Sequence, residues 1–182
     1  MRRFRLQLVA IQRFAPHKKR PVMSAQLVDT KKVTGRRSVS YTSLDQLMSD
    51  AQELASGNHK TLGNWSYGQI LDHLARGIRT AVDGGPLNFP APIQFVLKLL
   101  MLKRMTTRPM APGFKLPKKA SSVLPDDVTT EQGLANLRES VSSYQSADKL
   151  AKHGGFGTIT REQWTEFNLR HAEMHMSFVV PQ

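Results

Sequence analysis

The chain has 182 residues, 40% hydrophobic and 22% charged, a composition that predicts one soluble domain with a real core. It contains no cysteine, which excludes a disulfide scaffold, a cysteine nucleophile, thiolate-held zinc and cysteine-held iron–sulfur clusters. The formal net charge is +12, but Met1 to Ser40 holds eleven of the 26 basic residues and one of the 14 acidic ones, leaving +2 for the rest. The basicity therefore belongs to the N-terminal part, and no specific nucleic-acid partner is expected for the domain.

The opening MRRFRLQLVAIQRFAPHKKRP has a basic start, yet its longest apolar run, Leu8 to Ile11, is too short for a signal-peptide core. No run of about 20 apolar residues occurs, so no membrane partner is expected and a cytoplasmic location is the default. Residues 1–27 form a basic tail with three open readings: a disordered extension, a surface-binding arm, or a start placed ahead of Met23. Residues 28–182 form the domain. Arg36 to Thr42 (RRSVSYT) alternates weakly, which predicts a short extended piece lying on the domain.

Four capping boxes then follow: Ser43 with Gln46, Ser66 with Gln69, Thr129 with Gln132 and Thr160 with Gln163. In each, the hydroxyl accepts from an orphan backbone N–H while the glutamine reaches back. The first opens a helix with Leu44, Leu47, Met48, Ala51 and Leu54 on one face, ending at Gly57. The second opens one with Ile70, His73, Leu74, Gly77, Ile78 and Ala81 facing inward, ending at Gly84-Gly85. Pro92 to Met105 is apolar almost all round and predicts a buried or partly buried helix. The five prolines and glycines from Pro109 to Pro125 make Thr106 to Val128 a long irregular loop, covering a site or disordered. The third box opens Leu134, Leu137, Val141 and Tyr144. The fourth opens Trp164, Phe167, His171, His175 and Phe178, reaching nearly to the last residue. No strand pattern stands out. The expected fold is all-α, a four-helix bundle with an additional short helix and a long proline-rich loop.

Of the six histidines, His17 lies in the tail and His59 in a loop, both expected in solvent. His171 and His175, four apart on a helix, share a face about one turn apart, and that face is the apolar one. His73 falls on the apolar stripe of its own helix. Inward imidazoles are costly unless each nitrogen finds a partner, and a divalent cation satisfies three at once. Zinc, nickel and ferrous iron all suit imidazole. Three histidines without a thiolate or carboxylate leave coordination positions open, the catalytic pattern. Asn168 and Gln69 either orient rings or finish caps and interhelical hydrogen bonds. Asp72 and Glu173, about 100° round their helices from the histidines, are expected to face solvent.

The strings GNWSYGQILDHLARGI, HGGFGTITREQW and LRHAEMHMSF resemble the DinB-like metalloenzyme superfamily, in one of its branches of unknown function, over about Val28 to Pro181. The resemblance implies a four-helix bundle whose metal ligands are His73, His171 and His175. His153 sits where the branch has a histidine followed by proline; here glycine follows. His153 is therefore either an extra ligand or proton-transfer (catalytic) group, or a cap of the bundle beside Phe156, with the cap preferred. Relatives in the superfamily include transferases and isomerases that use low-molecular-weight thiols. By that resemblance, this cysteine-free chain takes an external thiol or water activated at the metal, and a small-molecule substrate. The alternative is a non-catalytic helical bundle serving in binding or dimerisation. A homodimer is expected to use the apolar third helix.

Overall fold

The structure, a computed structural model, describes residues 27–114 and 117–182. The tail expectation thus lies, apart from Leu27, outside the described residues, as does His17. Four long helices make the bundle: α1 (Leu44–Ser56), α2 (Tyr67–Asp83), α5 (Thr130–Ser146) and α6 (Arg161–Met176). Between α2 and α5 runs a continuous helical rod made of α3 (Ala91–Leu97), one wider π turn (Lys98–Leu102) and α4 (Lys103–Thr107). The all-α bundle read from the sequence is what the chain forms.

The caps explain why these helices start where they do. Ser66, Thr129 and Thr160 each accept from the N–H three residues on, and Gln69, Gln132 and Gln163 reach back to the cap N–H. At α1 the box is shifted by one: Ser43 accepts from the Gln46 N–H, but the Gln46 side chain accepts from Thr42. Gln69 is thereby committed to its cap and does not orient a histidine. Gly84, with φ +86°, ends α2 in a conformation that β-carbon-bearing residues rarely adopt.

The centre is filled by Leu47, Leu71, Leu74, Leu137 and Met176, each essentially without solvent contact. The tightest approach is α2 against α5. A β-carbon at Gly133 would lie 2.5 Å from the Gly68 carbonyl oxygen, and one at Gly68 would lie 2.3 Å from the Val128 carbonyl oxygen. Two helix backbones meet there with no side chain between them.

Three expectations need correction. The last helix stops at Met176, before Phe178, and the chain turns into β2 (Val179–Pro181), which pairs antiparallel with β1 (His59–Thr61), Lys60 opposite Val180. A strand pair of three residues each is too short to leave a period in the sequence. His59 is accordingly half-buried, its ring edge-on to Tyr67 at 4.7 Å, and not free in solvent. The apolar rod is also partly and not fully buried: Phe95, Leu99 and Leu100 are 69%, 73% and 71% exposed, and within it only Leu102 and Thr106 turn fully inward.

The irregular loop begins only after Thr107 and contains one short 3-10 segment, Lys118–Val123, seated by the buried Ala120. Upstream, the RRSVSYT stretch lies on the bundle as expected. Its Arg37 N–H donates to the Ser177 carbonyl and its guanidinium makes a two-pronged ion pair with Asp50 at 2.8 and 2.7 Å.

Candidate metal centre

His73 comes from the middle of α2, and His171 and His175 from successive turns of α6. Their rings meet. His73 Nε2 lies 3.2 Å from His171 Nε2, and His175 Nε2 lies 3.1 Å from the same atom. One nitrogen from each of the three falls within 4.8 Å of the others. The His171 ring lies over Gly77, one turn after His73: a β-carbon there would be in ordinary van der Waals contact with it, at 3.5 Å.

These spacings suit one small ion. Ligands of a tetrahedral cation with bonds of about 2.0–2.1 Å stand about 3.3 Å apart. The protonation pattern points the same way. His73 Nδ1 faces the Val123 carbonyl at 2.6 Å, so it carries the proton and donates, leaving a lone pair on Nε2. If His171 Nε2 also carries a lone pair, it repels that of His73. If it carries a proton, one N–H must serve two acceptors. A cation accepting three lone pairs removes the conflict.

The surroundings keep all three imidazoles neutral. Burial, joined by repulsion from the neighbouring rings, lowers His171 to about 3 and His175 well below the usual histidine range. Burial lowers His73 too, against the opposing pull of the Val123 carbonyl and Asp72. Trp65 stacks on His175 with centroids 5.4 Å apart and tilts over His73 at 4.8 Å, while Phe167 lies beside His171 at 6.4 Å. His73 is buried, at 5% exposure; on α6 the deepest positions are Ala172 and Met176, and His171 and His175 are half-buried on the adjoining side.

Asp72 and Glu173, expected in solvent, are both buried, at 3% and 6% exposure. Asp72 accepts from Arg76, from the Asn136 amide and from the Asp126 N–H. Arg76 donates in turn to Asp126 and to the Ser122 carbonyl. The pair thus clamps residues 122–126 on α2, and this places the Val123 carbonyl on His73. This end of the proline-rich loop therefore lies against the site at His73. Glu173 does the same for the other end: it accepts from the Tyr41 N–H at 2.7 Å, and Arg170 bridges it to the Tyr41 carbonyl. The sequence does not show this burial because, beside the local Arg76 and Arg170, each carboxylate has partners more than fifty residues away. Asn168 is buried with its Nδ2 unpartnered and donates to no histidine.

His153 is not in the cluster. Its Nδ1 accepts from the Gly155 and Phe156 N–H groups at 3.0 and 3.2 Å, and its ring stacks on Phe156 at 4.5 Å. It also meets Trp164 and Phe167, so it touches the side chain that flanks His171. Burial lowers it to about 4.

A pH dependence follows. Histidines that stay neutral when folded but take up a proton near 6.5 when unfolded make the unfolded state bind more protons below that value. Stability of the metal-free protein therefore rises with pH through this window and falls as pH drops below about 6.5, by about 1.4 kcal/mol per pH unit for each such histidine. Asp50 and Asp72, held below the usual carboxylate range by their guanidinium and hydrogen-bond partners, act only at lower pH. Urea midpoints taken from neutral to about pH 5 should slope this way; a flat profile would mean that the rings protonate in the folded state.

The fold and site together define a helical bundle with a three-histidine cluster that could hold a metal ion. Over residues 33–182 the chain matches the family described as "Protein of unknown function (DUF1569)", and it belongs to that family. No curated protein and no solved structure matches it. Among the described residues, no helix is long and apolar enough to cross a membrane.

Proposed function

We propose that this protein is a metal-dependent enzyme of the DinB-like kind, holding zinc, nickel or ferrous iron on His73, His171 and His175 and acting on a small molecule, with a low-molecular-weight thiol as cosubstrate in a transfer or isomerisation. The observation that carries the reading is the triangle of Nε2 atoms, with the His73 tautomer set by Val123. A divalent ion bound there would act as a Lewis acid with open positions, lowering the pKa of a thiol or water that reaches it.

The chain supplies the rest. Asp72 and Arg76 hold the Val123 carbonyl, which keeps the His73 Nε2 lone pair aimed inward. Trp65 and Phe167 cover ring faces and restrict water. His153, with Nδ1 engaged by its own turn, acts as a positioning residue for Phe167.

The test uses protein without a histidine tag, loaded with nickel and mixed with β-mercaptoethanol. The reading expects one ion per chain and a sulfur-to-metal absorption band that disappears in His175→Ala. Stoichiometric metal without the band removes the thiol but keeps the metal. No stoichiometric metal favours the non-catalytic bundle.

A further inference from the structure

Charge and apolar surface coincide in one part of this molecule. From Gly84 to Pro125 the sequence carries seven Lys and Arg and no Asp or Glu, so residues 41–83 and 126–182 together are net acidic. Inside that stretch lies the rod Ala91–Thr107, with Phe95, Leu99 and Leu100 about seven-tenths exposed and Ile93 and Val96 about half exposed. Lys103, Arg104 and Arg108 are exposed at its C-terminal end.

The rod is held firmly. The Phe89 N–H donates to the Gly154 carbonyl at 2.9 Å, and the Gln94 amide donates to Asn88. The Lys98 ammonium donates to the Thr158 carbonyl at 2.6 Å, and Leu102 and Thr106 are buried. Its apolar outer face is therefore a fixed surface of the protein. A contiguous apolar patch rimmed by polar residues marks an interaction site.

Charge selects the occupant. A second copy meeting it rod to rod would bring the same cations into contact, and residues 1–26 carry seven basic and no acidic residues, so both are disfavoured on this face. An anionic surface complements these cations. Ile93, Val96 and Leu100 stand out from the rod, while Phe95 and Leu99 border an open groove against Gln163 and Glu166. A rod of that form enters a bilayer interface, where apolar side chains sink below the headgroups and nearby Lys and Arg meet anionic lipid. We infer that the rod Ala91–Thr107 docks this protein peripherally on an anionic lipid bilayer. The docking does not depend on the metal centre.

The test is flotation of the full chain with vesicles of phosphatidylcholine alone and of phosphatidylcholine mixed with phosphatidylglycerol. Binding is expected to the anionic vesicles only. It should weaken at least about tenfold in Leu99→Ser/Leu100→Ser and by about the same in Lys103→Gln/Arg104→Gln. All four side chains are exposed, so thermal unfolding should not change; Phe95→Ser serves as an independent second probe. Three results would overturn the inference. One is absence of binding. Another is binding indifferent to the serine substitutions, which would assign it to the basic N-terminal residues. The last is a wild-type dimer in sedimentation that the serine substitutions dissociate, which would assign the face to a second copy.

Discussion

His171→Ala is expected to lower divalent-metal affinity at least about a hundredfold, because removing even an outer partner of a ligand commonly costs about ten- to a hundredfold. His171 is the sharpest choice of the three. Its Nε2 is the atom that both other Nε2 atoms approach, at 3.2 and 3.1 Å, so its loss removes the donor common to both and leaves two imidazoles, one from each helix. Asp72→Ala should show a graded effect of about tenfold through the freed 122–126 segment, without touching a ligand. Calorimetric titration with zinc checks both. Equal affinity in wild type and His171→Ala would place any bound ion elsewhere. The apo protein carrying His171→Ala should fold, since an imidazole on the half-buried side of α6 is not part of the packed centre.

Gly133→Ala is expected to destabilise by about 1–3 kcal/mol, the usual range for overpacking. The sign is what makes it informative. In an ordinary helix interior, glycine to alanine stabilises by about 1 kcal/mol. Here the new methyl would stand 2.5 Å from the Gly68 carbonyl oxygen and 3.0 Å from the Leu71 β-carbon, neither of which can rotate away. The two helix axes would have to separate along the face where α2 carries Leu71 and Asp72, the latter bonded to Asn136 of α5. Denaturant unfolding measures the loss, and zinc titration of the same variant should show weaker binding. A stabilised Gly133→Ala would mean that α2 and α5 do not approach this closely.

What could be read from the sequence was what is local. Capping boxes act over three residues, so the starts of α2, α5 and α6 were plain, and Gly84 marked where α2 ends. His171 and His175 were legible for the same reason, being one turn apart on one helix. His73 was legible as the third member because it broke an apolar stripe. The features that escaped depend on distant partners. Asp72 looked like a surface residue until Asn136 and Asp126 arrived from other parts of the chain. Glu173 looked like one until Tyr41 did. Gly68 and Gly133 carry no periodic signal, and only the packing of α2 on α5 shows why neither has a side chain. How far the apolar run at Pro92 to Met105 is buried was not legible, because hydrophobicity states a preference for burial without saying whether this chain provides the cover. The β1–β2 pair joined residues more than a hundred positions apart through three residues each, beneath the reach of any pattern.

The most direct check is X-ray absorption at the zinc edge, on untagged protein loaded with one equivalent. The predicted first shell has three imidazole nitrogens at about 2.0–2.1 Å and at least one exchangeable oxygen donor, collapsing to fewer imidazoles in His73→Ala. A shell of oxygen donors with no histidine scattering, or one unchanged by His73→Ala, would contradict it.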